Sequence, residues 1–152
     1  MLSNTAFSSF YSKTGCPDTY PHTYGDSFYY ISDTKLSHND ADIDCAADGA
    51  HLVDITSAAE QAFVVEMLNT SHTGTHNNLF IGLLLDDDGE RRWSDGTLLD
   101  YTAWPTNGAW DPDTDSSAGR TCHRIRRIYD YRWVDSSCED LKHYVCECEG
   151  MP

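Results

Sequence analysis

Six of the 152 residues are cysteines, and four of them, Cys122, Cys138, Cys146 and Cys148, fall after position 121. Thiols crowded in this way hold a metal, run redox chemistry or pair as disulfides. The spacings favour pairing. No C-x-x-C occurs, and the close pair Cys146 and Cys148 is a C-x-C with no matching His or Cys pair to complete a zinc site. Signatures of catalysis are equally thin. The seven histidines are scattered, neither G-x-S-x-G nor H-E-x-x-H is present, and no thiol is left as a nucleophile if all six pair. The chain therefore reads as a binding module and not as an enzyme.

Charge narrows the partners. With 25 acidic and 10 basic side chains the formal net charge is −15, which argues against nucleic acid and against an anionic membrane surface. Yet five of the ten basic residues, Arg120, Arg124, Arg126, Arg127 and Arg132, lie within thirteen positions, beside His123. This strip is either the solvated face of a hairpin paired with the surplus carboxylates, or a basic interaction surface.

These groups need elements to position them, and 152 residues with 39% hydrophobic content suit one domain with a core of its own. Asp26 to Ser32 alternates like a strand. Ser37 caps a helix over His38 to Asp48, stopped by Gly49. Ala50 to Ile55 is a short strand, and Ser57 with Glu60 forms a capping box that opens a second helix with Phe63, Val64, Met67 and Leu68 on its apolar side. Leu79 to Leu85 is a buried apolar run, followed by a carboxylate-rich turn, Asp86-Asp87-Asp88-Gly89-Glu90. From Trp93 to Gly119 periodicity gives way to Gly, Pro, Asp, Asn and Ser, and a loop of that length is usually functional. Cys122 to Tyr129 and Tyr131 to Asp135 form a hairpin with Ile125 inward, and Lys142 to Cys146 a closing strand.

No run of eighteen apolar residues exists, so no membrane insertion is expected. Disulfides imply a secretory compartment and an extracellular, secreted product. Met1 to Phe10 lacks the basic start and apolar centre of a signal, so Met1 is read as the edge of a mature product whose signal is missing. Residues 1–14 form a tail and 15–149 the domain.

Several pieces then stand in a telling order: Gly15-Cys16-Pro17, the helix ending in Cys45, Gly49-Ala50-His51-Leu52-Val53, Phe80-Ile81-Gly82-Leu83, Trp93-Ser94-Asp95-Gly96, Tyr101-Thr102-Ala103-Trp104, and Cys122, Trp133, Cys138 and Cys146. The set resembles the C-type lectin-like domain over roughly residues 16 to 148. The resemblance implies an α+β fold with two helices packed on two small antiparallel sheets, a long irregular loop, and disulfides Cys45–Cys146 and Cys122–Cys138. Cys16 and Cys148 are left over. Long-form members pair the first cysteine a few residues downstream, near where Ser27 stands here. Because the family's first and last strands are neighbours, a Cys16–Cys148 bond is the favoured reading; its rival is an intermolecular bridge making a homodimer.

In sugar-binding members, Ca²⁺ is held by an E-P-N or Q-P-D tripeptide with a cis-proline, an acidic residue two before the third structural cysteine, and a W-N-D motif. The ion wants six to eight hard oxygens, which can also order sugar hydroxyls. Here Asp111-Pro112-Asp113 fits the tripeptide, the acidic position is Arg120, and W-N-D reads Trp133-Val134-Asp135. Asp111, Asp113 and Asp135 alone would hold Ca²⁺ weakly or through water, and a guanidinium beside the ion would repel it. Calcium at this site is thus doubtful, and Arg120 is expected to replace it by pairing with Asp113 or Asp135.

The implied function is a carbohydrate-binding lectin of innate recognition, taking galactose-type or N-acetylhexosamine glycans, or glycoproteins bearing them, with Trp110, Asp111, Pro112, Asp113, Arg120 and Asp135. Trp104 and Trp133 are expected in the core and Trp110 at the surface. The alternative is a domain without sugar binding that recognises a protein through its long loop and arginine strip.

Overall fold

The computed structural model describes residues 15–71, 76–115 and 119–150; the expected tail, 1–14, lies outside them. An opening hairpin of β1 (His22–Tyr24) and β2 (Ser27–Ile31) leads to α1 (His38–Ala47), whose N-terminus is capped by Ser37 through the Asp40 N–H. Gly49, at φ +74°, ends that helix, a backbone conformation that disfavours a side chain. The following strand β3 is only His51–Leu52, shorter than the apolar run suggested.

Helix α2 (Ala58–Ser71) begins as a capping box in one half only. The Ser57 hydroxyl accepts from the Glu60 N–H at 3.1 Å, but the Glu60 carboxylate takes the Thr56 N–H at 3.0 Å and the Tyr29 hydroxyl at 2.9 Å. A buried phenol competes for the carboxylate, so the helix start is tied to β2. Val64, Met67 and Leu68 are buried beneath the helix, with Phe63 half-buried against Tyr29.

The apolar run becomes β4 (Asn78–Leu85), flanked by β5 (Arg91–Arg92), β6 (Cys122–Arg126), β7 (Arg132–Ser136) and the closing strand β8 (His143–Glu149). β1, β2, β8 and β3 pair antiparallel, as do β5, β4, β6 and β7. The two sheets are joined, since β4 and β8 run parallel with Leu79 opposite His143 and Phe80 opposite Tyr144. Buried on both faces, β4 has the continuous apolar character of an interior strand. Gly82 donates its N–H to the Val53 carbonyl at 2.8 Å, and a Cβ there would stand 2.7 Å from the Leu52 carbonyl oxygen. Only glycine allows that approach.

Trp133 is the centre of the main core, fully buried with Trp93, Tyr101 and Trp104 edge-on around it. Its indole N–H donates to the Gln61 side chain at 2.9 Å, whose amide donates to the Tyr131 carbonyl at 3.0 Å. The second core cluster is built on sulfur. All six cysteines pair as Cys16–Cys148, Cys45–Cys146 and Cys122–Cys138. Cys16 thus bonds to Cys148 within the chain, the pairing favoured over an intermolecular bridge, and no cysteine is left free.

Candidate functional site

The long loop is anchored to the β6–β7 hairpin. Ala103 accepts from the Trp133 N–H at 2.9 Å, and the Trp104 carbonyl accepts from Arg132 at 3.1 Å. Trp104 stacks obliquely on Trp110, with ring centroids 5.2 Å apart, and the Arg91 guanidinium lies over Trp104 at 5.3 Å and Trp110 at 6.0 Å. Stacked cations of this kind are favourable, more so where water is excluded. Arg91 also donates through Nε to His123 Nε2 at 3.0 Å, while His123 Nδ1 sits 3.0 Å from the Leu83 carbonyl. Arginine has only donors, so His123 is neutral with its proton on Nδ1. Burial and the neighbouring Arg91 push its pKa down to about 3. Nothing local in the sequence marks Arg91, which lies far from the arginine strip; it comes under the loop because β5 pairs with β4 and β4 with β6.

Of the residues expected at the site, Arg120 and Asp135 meet directly. Arg120 Nε lies 3.1 Å from the Asp135 carboxylate, and another guanidinium N–H donates to the Asp135 backbone carbonyl at 3.2 Å. The Asp135 side chain is 6% exposed and that of Arg120 36%. Between the two partners left open by the sequence, Arg120 takes Asp135.

Asp111 and Asp113 are engaged elsewhere. The Asp111 carboxylate accepts the Asp113 N–H at 2.8 Å, and the Asp111 N–H donates to the Asp115 carboxylate at 2.7 Å. The tripeptide is thereby folded into a local turn, and its Asp111–Pro112 bond is trans. Trp110, expected at the surface, is 9% exposed, because the loop folds its indole between Trp104 and the strands. It forms a wall between two hollows. One, of about 620 Å³, is lined by Arg91, Trp104, Pro105, Asp111, Pro112 and Asp113. The other, of about 260 Å³, is lined by Arg120, Arg124, Arg126, Tyr129 and Val134, with the carboxylates of Asp115 and Asp135 at its edge. The single sugar site expected from Trp110, Asp111, Pro112, Asp113, Arg120 and Asp135 is thus divided in two.

The calcium ion that the resemblance implies does not fit here. A guanidinium holds the Asp135 carboxylate, Val134 offers no oxygen, and Asp111 and Asp113 face the other hollow. Among the described residues no three His, Cys, Asp or Glu side chains group as a cation site, so the set Asp111, Asp113 and Asp135 is not assembled. The triple aspartate downstream of β4 is a turn: Asp86 accepts the N–H groups of Asp88 and Glu90 and pairs with Arg92 at 3.0 Å.

The family model described as Lectin C-type domain matches residues 34–148. Lithostathine-2 of Mus musculus is 32% identical over 139 residues, spanning 90% of this chain and 76% of the relative. Asialoglycoprotein receptor 2 of Mus musculus is 35% identical over 129 residues, 82% of this chain but 39% of the receptor. Among solved structures, the C-type lectin domain of murine dendritic cell inhibitory receptor 2, in complex with N-glycan, superposes with a TM-score of 0.72 at 32% identity, covering 88% of this chain and 98% of that one.

Proposed function

The chain belongs to the C-type lectin domain family, and from that premise we propose that it is a secreted saccharide-binding module whose site works without calcium. The observation that carries this reading is the Arg120–Asp135 pair, a cation built into the chain where sugar-binding relatives recruit one from solution. A tethered guanidinium keeps the strand end and the loop base in register as a bound ion would, and its remaining N–H groups are donors for hydroxyl oxygens. The hollow on the far side of Trp110 suits a galactose-type or N-acetylhexosamine ring. Half-buried Trp104 and the prolines offer apolar surface to the C–H face of the sugar, and Asp111 and Asp113 supply acceptors for its hydroxyls.

Three disulfides support an extracellular setting, and no helix among the described residues is long and apolar enough to cross a membrane. Innate recognition of glycans or glycoproteins is the role that fits such a module, in keeping with the N-glycan held by the solved neighbour. The test is a glycan array probed with calcium and with chelator. Galactose or N-acetylhexosamine signals that survive chelation and disappear in Asp113→Ala, an exposed position, are the expected result. A blank array, with capture of a protein ligand instead, would sink the saccharide reading.

A further inference from the structure

We propose that the smaller groove reads an acidic substituent, a sulfate ester or a carboxylate, on a saccharide whose body occupies the hollow across Trp110. This deepens the saccharide reading and rests on it. Arg124 and Arg126 stand two apart on β6 and so share its outer face, while Ile125 between them is in the core. Val134, directly across from Arg124 in the sheet, gives the groove an apolar floor.

The third arginine, Arg120, is matched by Asp135. Arg124 and Arg126 are not: among the described residues neither meets a carboxylate. Arg124 donates to the Asn78 side chain at 2.9 Å, and Arg126 to the Tyr129 hydroxyl at 3.3 Å, with its guanidinium 5.1 Å from the centre of that ring. The chain carries fifteen more acids than bases, yet the hydrogen-bond partners of these two adjacent guanidiniums are neutral. Burial, with Arg126 and Arg120 close by, pulls the Arg124 pKa below its ordinary value. An anion in the groove would relieve that crowding.

A second observation points to the same place. Among the described residues, three buried side-chain atoms have no hydrogen-bond partner in the protein: Trp110 Nε1, Arg124 Nε and Asp135 Oδ2. All three residues line this groove, and Arg120 already contacts the last of these atoms. The remaining two are donors. Folded proteins rarely leave buried donors without acceptors, and a sulfate or carboxylate supplies several acceptor oxygens matching the planar guanidinium fork. A neutral sugar offers hydroxyls but no charge for Arg124 and Arg126. Both donors are shielded in the present arrangement, so engaging them requires the Trp110 indole and the Arg124 side chain to shift. That movement should change the intrinsic fluorescence.

The experiment titrates the protein, in chelator, with three galactose-based oligosaccharides of equal length: sulfated, oxidised to the uronate, and neutral. At least one acidic probe should bind about tenfold or more tighter than the neutral one, the scale of a charge-assisted hydrogen bond, and the preferred acid identifies the source. Its advantage should weaken with added salt. Arg124→Gln should reduce that advantage to nothing, Trp110→Phe should lose several-fold, and Lys35→Gln, an equal charge change at an exposed site outside this groove, should change nothing. Should Arg124→Gln melt abnormally, Arg124→Lys, which keeps the charge but loses the fork, should still show a reduced advantage. Equal affinity for neutral and acidic probes overturns the acidic groove while leaving the saccharide reading intact. Failure of every probe sinks both, and an acidic peptide that binds as tightly as the acidic sugar overturns the ligand class.

Discussion

Removing the Arg120 guanidinium leaves the Asp135 carboxylate, 6% exposed, without its counter-ion. At a separation of about 4 Å between charge centres and an effective dielectric near 20, the gross attraction is roughly 4 kcal/mol. Breaking a fully buried pair costs about 3–5 kcal/mol, but Arg120 is about a third exposed, and water will partly solvate the abandoned carboxylate. Arg120→Ala should therefore destabilise by about 2 kcal/mol, which for a chain of this size lowers Tm by roughly 4–8 °C. Asp135→Asn keeps the size and the backbone carbonyl that Arg120 also contacts, so it isolates the charge. In the Asp135→Asn background Arg120→Ala should cost clearly less, with a coupling of about 1 kcal/mol or more in a double-mutant cycle from urea unfolding. Equal costs in both backgrounds, or a loss under about 0.5 kcal/mol for Arg120→Ala, would refute the claim that this pair organises the loop base.

Restoring oxygen ligands at the two departing positions, Arg120→Glu with Val134→Asn, should create a calcium-dependent rise in thermal stability of about 1–3 kcal/mol near saturation; a double variant indifferent to calcium would show that more than these positions departed. The Cys16→Ser, Cys148→Ser double variant removes a bridge spanning 132 positions and should lose about 2–5 kcal/mol while retaining the fold, as read by denaturant midpoints. Glu147, buried beside Glu60 and paired across the sheet with His51, has its pKa raised from 4.5 to about 7, chiefly by burial, with Glu60 adding to the rise and Ser27, Asp54 and His51 opposing it. The folded state then holds a proton that the unfolded chain releases earlier. Stability contributed by this group is full below 4.5 and declines by roughly 3 kcal/mol as pH rises through 7. Unfolding on both sides of that window should show the decline flattened in Glu147→Gln; an unchanged profile would clear Glu147 of the effect.

The ordered landmarks were legible because each answers to local chemistry or to the family pattern. Ser37 and Gly49 bracket a helix by capping, Ile125 alternates inward between arginines, and four of the six cysteines stand where the family pattern puts two bridges. What escaped was decided by register and by the loop. The length of β3, two residues where six were expected, and the parallel meeting of β4 with β8 depend on strands far apart in sequence. Trp110 sits in a segment without periodicity, so nothing local distinguishes a buried indole from an exposed one. Likewise Asp113 and Asp135 were equal partners for Arg120 on paper. Asp135 won because β7 holds it rigidly opposite His123, whereas Asp113 is drawn into the turn closed by Asp111. Arg91 and the division of the site at Trp110 follow from the same folding of the loop onto the hairpin.

The central claim is that a guanidinium replaces calcium at the binding face. Its most direct test is the oligosaccharide-binding isotherm of the wild-type chain and of Arg120→Ala, each in calcium and in chelator. With Arg120 in place of calcium, wild type should bind with one affinity in both solutions, and Arg120→Ala should lose about tenfold or more, a loss that calcium does not restore. Binding that disappears from the wild-type chain in chelator, or that survives in Arg120→Ala undiminished, would contradict that claim.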